Sequence, residues 1–354
     1  MPEEKGTVSA RRLDGRTVEI DGRTWRYFSG THYLGLQSNR DFLDLVSEGL
    51  SRWGAHFGGS RRSNLRLPVF EDAERLMAKI TGAEAALVVS GGTLAGQLLV
   101  HSLAATDHLH FAPNTHPALL LPGVRPEEDW ENWLNHLRRE AANWQKPVTL
   151  VFNRMDPLSA KPAPVEWLEA LPPGFQYRIV IDDSHYLGIL GREGGGSYSD
   201  LVLPDGYELI VISSLGKAMG MPAGCILGNP DRIAGLWDSP MFGGASPPPP
   251  GYLHAFVNGQ SIYRQARLRL RENIRLWESA IPDRELFSAF PDYPVYYTPD
   301  NRLAPYLTGK EVLISSFPYP GPDDNPVTRI VVNAAHTEAD LEYLAGCLRH
   351  FKAK

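Results

Sequence analysis

The chain has 354 residues, 43% of them hydrophobic, and a formal net charge of -6. That length accommodates one large and one small domain with a substantial core, and the composition excludes an intrinsically disordered chain. The acidic balance argues against a nucleic-acid partner, and two cysteines, Cys225 and Cys347, are too few for a disulfide framework.

Both cysteines sit in apolar surroundings and read as core packing in a reducing compartment. Residues 1–12 are charged and lack the apolar centre of a signal peptide, and no apolar run is long enough to span a membrane. A cytoplasmic protein without a membrane partner is expected.

Residues 1–40 read as an N-terminal arm, with a hairpin signal where 18–27 alternates around Asp21-Gly22. Helical spacing follows over 41–53. Residues 54–67 are glycine-rich and basic (Gly58-Gly59-Ser60-Arg61-Arg62-Ser63-Asn64) and suit either a ligand-facing loop or an ordinary surface loop. Pro68 opens a helix to residue 80, with Phe70, Ala73, Leu76 and Met77 on one face. From residue 83 the pattern alternates between strand and helix. Strands are expected at 85–89, 108–111, 148–152, 178–181, 208–212 and 224–227, and helices at 94–103, 128–144 and 165–171. Such alternation implies right-handed crossovers and a mainly parallel sheet. Gly243 to Pro250 breaks the pattern. A long helix over 252–279 follows, then a smaller α+β region with strands at 294–297, 311–314 and 329–332. The closing helix, 338–351, has Thr337 as its N-cap. The expected division is therefore arm 1–40, large α/β domain 41–245, and linker helix with small domain 246–354.

Two strand ends carry the chemistry. The 208–212 run ends in Ser213-Ser214-Leu215-Gly216-Lys217, and small residues there leave room for a bulky group against the backbone. Lys217 could form a Schiff base with an aldehyde cofactor, or be a solvated loop lysine. A P-loop fits poorly, because Ala218 stands where Ser or Thr is required. The 178–181 run ends in Asp182-Asp183-Ser184-His185. Ligands of doubly wound sheets gather at such C-terminal ends. An acid, an imidazole and a lysine together are what pyridoxal phosphate needs. Upstream, Ser90-Gly91-Gly92-Thr93 precedes a helix, whose free N–H groups and dipole suit a phosphate, although such turns also serve packing alone.

In this order the motifs resemble the fold-type I pyridoxal-phosphate enzymes, and within them the α-oxoamine synthases. The resemblance runs from Tyr33-Leu34-Gly35-Leu36 to Asn333-Ala334-Ala335-His336. It implies that Lys217 holds the cofactor and then serves as the proton-transfer base. It implies that Asp182 pairs with the pyridine nitrogen, His185 bonds the phenolic oxygen and His116 stacks on the ring. Gly92, Thr93 and Ser214 would bind the phosphate, and Ser246 would reach a phosphate in a neighbouring subunit of a homodimer. Catalytic roles thus fall to Lys217, His116 and Asp182, and no metal is implied. Without the resemblance, His116 and His185 read as structural histidines. Asp183 is expected to support the site from behind or to face solvent.

Some positions depart from the family pattern. The C-terminal arginine that often grips an amino-acid carboxylate is missing near Ser316-Phe317-Pro318-Tyr319-Pro320, and Arg329 fits a structural role. Arg154 stands where the family usually has serine, and Thr31 and His32 replace a polar pair. Arg61, Arg62 or Arg154 could take over the carboxylate. The chain is also shorter than typical members. The implied activity is decarboxylative condensation of an amino acid with an acyl-CoA. An aminotransferase is the runner-up, and a cofactor-holding member without turnover is a third reading. No Gly-x-Gly-x-x-Gly follows the first strand, which speaks against a nicotinamide enzyme.

Overall fold

The structure is a computed structural model that describes residues 9–156, 159–319, 321 and 323–351. Residues 1–8 of the expected arm, and Pro320, lie outside the described residues. The chain forms two compact units, one from Leu43–Pro157 and Lys161–Gln260, the other from Met1–Phe42, Leu158–Ala160 and Ser261–Lys354.

The first unit is built on a six-stranded sheet. Its order is Ala85–Val89, Gly224–Gly228, Glu208–Ser214, Tyr177–Asp182, Val148–Asn153 and His108–Phe111. Only Gly224–Gly228 runs against its neighbours, so the sheet is mainly parallel, as expected. Its central strands are rich in Val and Ile, and Val148–Asn153 is buried at every residue because both faces are covered. On one face Leu98, Leu99 and Leu103 of the helix Gly92–Ala104 pack with Val151, Val180, Ile210 and Ile226. On the other, the rings of Trp130, Trp133 and Trp167 contact one another and Phe152.

Three expected helices change shape. Asp129 caps the helix expected at 128–144 by accepting from Asn132 N at 2.8 Å, so that helix begins at Trp130 and ends at Glu140. A 3-10 turn, Ala141–Asn143, follows it, and Trp144 beyond is buried against Phe175 and Tyr177. Residues Glu166–Ala170 form a 3-10 helix. The long helix is two helices, Pro250–Asn258 and Gln260–Ala280, broken at Gly259, where φ is -98° and ψ 22°. Glycine is a poor helix former, and the Asn258 amide donates to His254 O at 2.8 Å. The break from Gly243 to Pro250 is preceded by Pro230–Trp237 and Pro240–Gly244, short helices with proline at the first turn and caps at Asn229 and Ser239.

The second unit holds a seven-stranded sheet ordered Arg12–Leu13, Thr17–Ile20, Arg23–Phe28, Val312–Pro318, Pro326–Val331, Val295–Thr298 and Ser288–Ala289. Asp21 and Gly22 take positive φ, 49° and 74°, closing the predicted hairpin. Arg23–Phe28 pairs in parallel with Val312–Pro318, so the N-terminal segment is part of the C-terminal sheet rather than a separate arm. The pairing follows from Phe28, which enters a core with Trp277, Tyr296, Ile330 and Leu344.

His336 closes this core. Its ring stacks on Phe28, with centroids 4.1 Å apart. Nδ1 accepts from Asn333 N at 3.0 Å, and Nε2 lies 3.0 Å from Tyr27 O. A carbonyl takes only a donated proton, so Nε2 carries the hydrogen and the ring is neutral. Burial lowers the His336 pKa to about 4. The unfolded chain takes up a proton below about pH 6.5 while the folded chain does not, so stability is full above that pH and declines as pH falls toward 4. Between pH 7.5 and 5 this group should remove about 2 kcal/mol. Urea unfolding at both pH values should give His336→Gln a smaller pH-dependent loss than wild type. Equal losses would contradict the neutral ring.

Candidate active site

Parallel register brings the polar strand ends of the first unit together. Asn153 is the ladder partner of Asp182, and Asp182 is the partner of Ile212. Asp183 N donates to Ile212 O at 2.8 Å, which carries the ladder one step past the end of Tyr177–Asp182. Beyond it the chain turns, and the Lys217 amine reaches His185 Nε2 at 2.7 Å. Lys217 and His185 are both half-buried.

Asp182 is buried, and its Oδ1 accepts from Ser184 N at 2.8 Å. His116 is half-buried, and its backbone N–H donates to Asn153 Oδ1 at 3.1 Å. Its Nδ1 accepts from Ala118 N at 3.1 Å, which leaves the proton of the neutral ring on Nε2. Burial lowers the His116 pKa, with the Asp182 carboxylate pulling it up and the Lys217 ammonium pushing it down. Asp183 is fully buried rather than facing solvent, and both the N–H (2.6 Å) and hydroxyl of Ser197 donate to it. Burial pushes its carboxyl up to about 7 against the pull of those two bonds.

The helix Gly92–Ala104 begins without a side-chain cap, so its first N–H groups have no side-chain acceptor. A Cβ at Gly92 would lie 2.7 Å from Ser214 Cβ, so glycine lets the helix start approach the strand that leads to Lys217. Thr93 is exposed and Ser214 half-buried beside this start. An uncapped helix start, an amine and a buried carboxylate at the C-terminal ends of adjacent strands fit the phosphate, aldehyde and ring nitrogen of pyridoxal phosphate. Ser246 lies close to the same helix start, whose Leu94 shares a recess with it. It is exposed, and Arg61, Val89 and Phe242 also line that small recess.

The basic loop is committed elsewhere. Arg61 is buried, makes a two-point ion pair with Glu74 and stacks on Phe70 and Trp237. Arg62 donates to Asp238 O at 2.9 Å. Arg154 differs. Its guanidinium donates to Ala163 O at 3.1 Å and lies over Tyr186, while its buried Nε has no acceptor. Among the described residues no carboxylate lies within 4 Å of it. Asn153 and Ser184 escaped the sequence reading. Their only signal was their place at strand ends beside the candidate acid.

Among the described residues no three His, Cys, Asp or Glu side chains form a group able to hold a metal ion, and no helix is long and apolar enough to cross a membrane. The fold and the donor set define a pyridoxal-phosphate-dependent transferase of fold type I. Residues 123–348 match the aminotransferase class I and II family, and the chain belongs to it. It is 27% identical to the 8-amino-7-oxononanoate synthase of Dechloromonas aromatica, covering 95% of this chain and 92% of that protein. The enzyme of the same name from Nitrosomonas europaea is also 27% identical, over 94% and 91%. Serine palmitoyltransferase from S. paucimobilis has the same fold, with a TM-score of 0.81 at 15% identity over 97% of this chain and 91% of that one. So does 8-amino-7-oxononanoate synthase from Francisella tularensis, with a TM-score of 0.69 at 17% identity over 92% and 96%. These relatives are α-oxoamine synthases.

Gly92→Ala places a methyl group against the backbone and Cβ of Ser214, neither of which can swing aside. Absorbance titration with pyridoxal phosphate should show binding at least ten-fold weaker in this variant. Unchanged affinity would remove the helix start from the cofactor site.

Proposed function

We propose that this transferase joins an amino acid to an acyl-CoA with loss of carbon dioxide. A carbon–carbon bond forms between the amino-acid α-carbon and the acyl carbon, the thioester C–S bond breaks, and the carboxylate departs as carbon dioxide. The observation that carries this reading is the Lys217 amine, set 2.7 Å from His185 beyond the C-terminal end of the strand that closes with Asp182. Similarity to 8-amino-7-oxononanoate synthases over nearly the whole chain supports the choice of reaction.

Pyridoxal phosphate, joined through its aldehyde to Lys217, would supply a sink for the electron pair left on the substrate's α-carbon. The remaining work belongs to the chain. Asp182, held by Ser184 N–H, offers a fixed carboxylate oxygen that keeps a proton on the ring nitrogen. The Lys217 amine, freed when the substrate binds, would take the α-proton and return one after carbon dioxide leaves. His185, 2.7 Å from that amine, would orient it and hydrogen-bond the phenolic oxygen. The neutral His116 ring, oriented by Ala118 N–H at Nδ1 while Asn153 holds its backbone N–H, would stack on the cofactor ring. Gly92, Thr93 and Ser214 would hold the phosphate, and Ser246 would reach it across a homodimer.

Arg154 is the cation best suited to the amino-acid carboxylate. A half-buried guanidinium whose Nε lacks an acceptor gains most from an anion, and its planar fork matches a carboxylate. Arg61 is unsuited, because Glu74 already occupies it.

A panel of amino acids with acyl-CoA thioesters, followed by free-thiol release and ketone formation, tests the reaction. Pyruvate or glutamate formation without thiol release would mark transamination instead, and no spectral response to any amino acid would mark a site without turnover. Lys217→Ala should abolish turnover and leave no pyridoxyl adduct at position 217 after borohydride reduction. Asp182→Asn should lower kcat by about 100-fold or more, since the acid tunes the cofactor's electron demand. Arg154→Gln should raise the amino-acid KM at least ten-fold with a smaller change in kcat, and an unchanged KM would exclude it as the carboxylate's partner.

A further inference from the structure

The Asp182 carboxylate and the turn that carries Lys217 belong to different strands, yet one residue touches both. Ser184 is buried at 6% exposure. Its backbone N–H donates to Asp182 Oδ1 at 2.8 Å, and its side-chain Oγ accepts from Ser214 N at 2.8 Å. The parallel ladder between these strands reaches Asp183 N and Ile212 O. Past that point the backbones part, and Ser214 N–H would face no carbonyl of Tyr177–Asp182. The Ser184 hydroxyl takes the place of that carbonyl. Ser214 is also the residue whose Cβ limits the approach of Gly92, and Lys217 follows three residues later.

We propose that Ser184 is a positioning residue that locks the distance between the acid and the lysine by continuing the ladder through a side chain. Its backbone holds the carboxylate and its hydroxyl holds the lysine turn, so movement of either is passed to the other. A residue without an acceptor at this position leaves Ser214 N–H buried and unpaired, and the turn shifts to find water or another carbonyl. The catalytic meaning of the lock rests on the function proposed above, whereas the lock itself is a property of the chain.

Ser184→Ala deletes the acceptor while keeping the backbone donor to Asp182, and Ser184→Thr keeps both. The first readout is amide hydrogen exchange of the cofactor-loaded protein over residues 212–217. Exchange should be at least ten-fold faster in Ser184→Ala than in wild type and should return toward wild type in Ser184→Thr. The second readout is kinetic. Ser184→Ala should lower kcat at least ten-fold with amino-acid KM within about two-fold, because the substrate contacts stay while the lysine is misplaced. Wild-type exchange in Ser184→Ala overturns the proposal, whatever the kinetics. Fast exchange with wild-type kcat overturns the positioning role. If wild type has no condensing activity, the proposed function fails, while the exchange result still decides the lock. Should Ser184→Thr not fold, the comparison of Ser184→Ala with wild type decides alone.

Discussion

Backbone register in the parallel sheet is the constraint on which this site depends. Asn153, Asp182 and Ile212 stand in line because three adjacent strands are paired in one register. Both faces of these strands are buried, by the Leu98–Leu103 side of a helix and by a cluster of tryptophans. A slip of one residue would drive every side chain to the opposite face and break both packing layers. The apolar core thus sets the position of the acid, although the acid makes no contribution to the core.

The two ends of the same strands are treated differently. At the N-terminal end Arg178 bridges Asp107 and Glu208, Arg232 makes a two-point contact with Glu208, and Thr149 donates to Asp107. Each of these charges is met by another, which stiffens the end without leaving anything to react. At the C-terminal end the partners are mostly backbone N–H groups and hydroxyls: Ser184 N for Asp182, Ser197 for Asp183, Ala118 N for His116. Such partners orient a titratable group without discharging it against a fixed ion. Arg154, whose buried Nε lacks an acceptor, belongs to this open end.

Much of this was legible in the chain itself. Val/Ile runs ending in Asp-Asp-Ser-His and in Ser-Ser-Leu-Gly-Lys announced two buried strands with polar tips. Pro68 opened a helix and Asp21-Gly22 closed a hairpin, because proline and glycine limit the backbone in known ways. Other features had no local signal. Asn153 reads as the polar end of a strand, and its hold on the His116 backbone needs a partner 37 residues away. Arg61 reads as one of a basic pair, yet a carboxylate 13 residues on and two aromatic faces bury it. Periodicity carried a single helix across Gly259, because apolar spacing continues past a residue at which the backbone does not.

The sequence by itself determined which groups are available: one lysine after a buried strand, one acid at the end of another, a glycine turn before a helix, and the order that relates them to the α-oxoamine synthases. Periodicity and turn chemistry are local, so they survive without a partner. Tertiary structure alone decided which groups meet. It joined the N-terminal strands to the C-terminal sheet, buried Asp183, engaged Arg61, left Arg154 Nε without an acceptor and placed the Ser184 hydroxyl under Ser214 N–H. Each of those outcomes depends on a contact between residues that only pairing of strands and packing of faces can bring together.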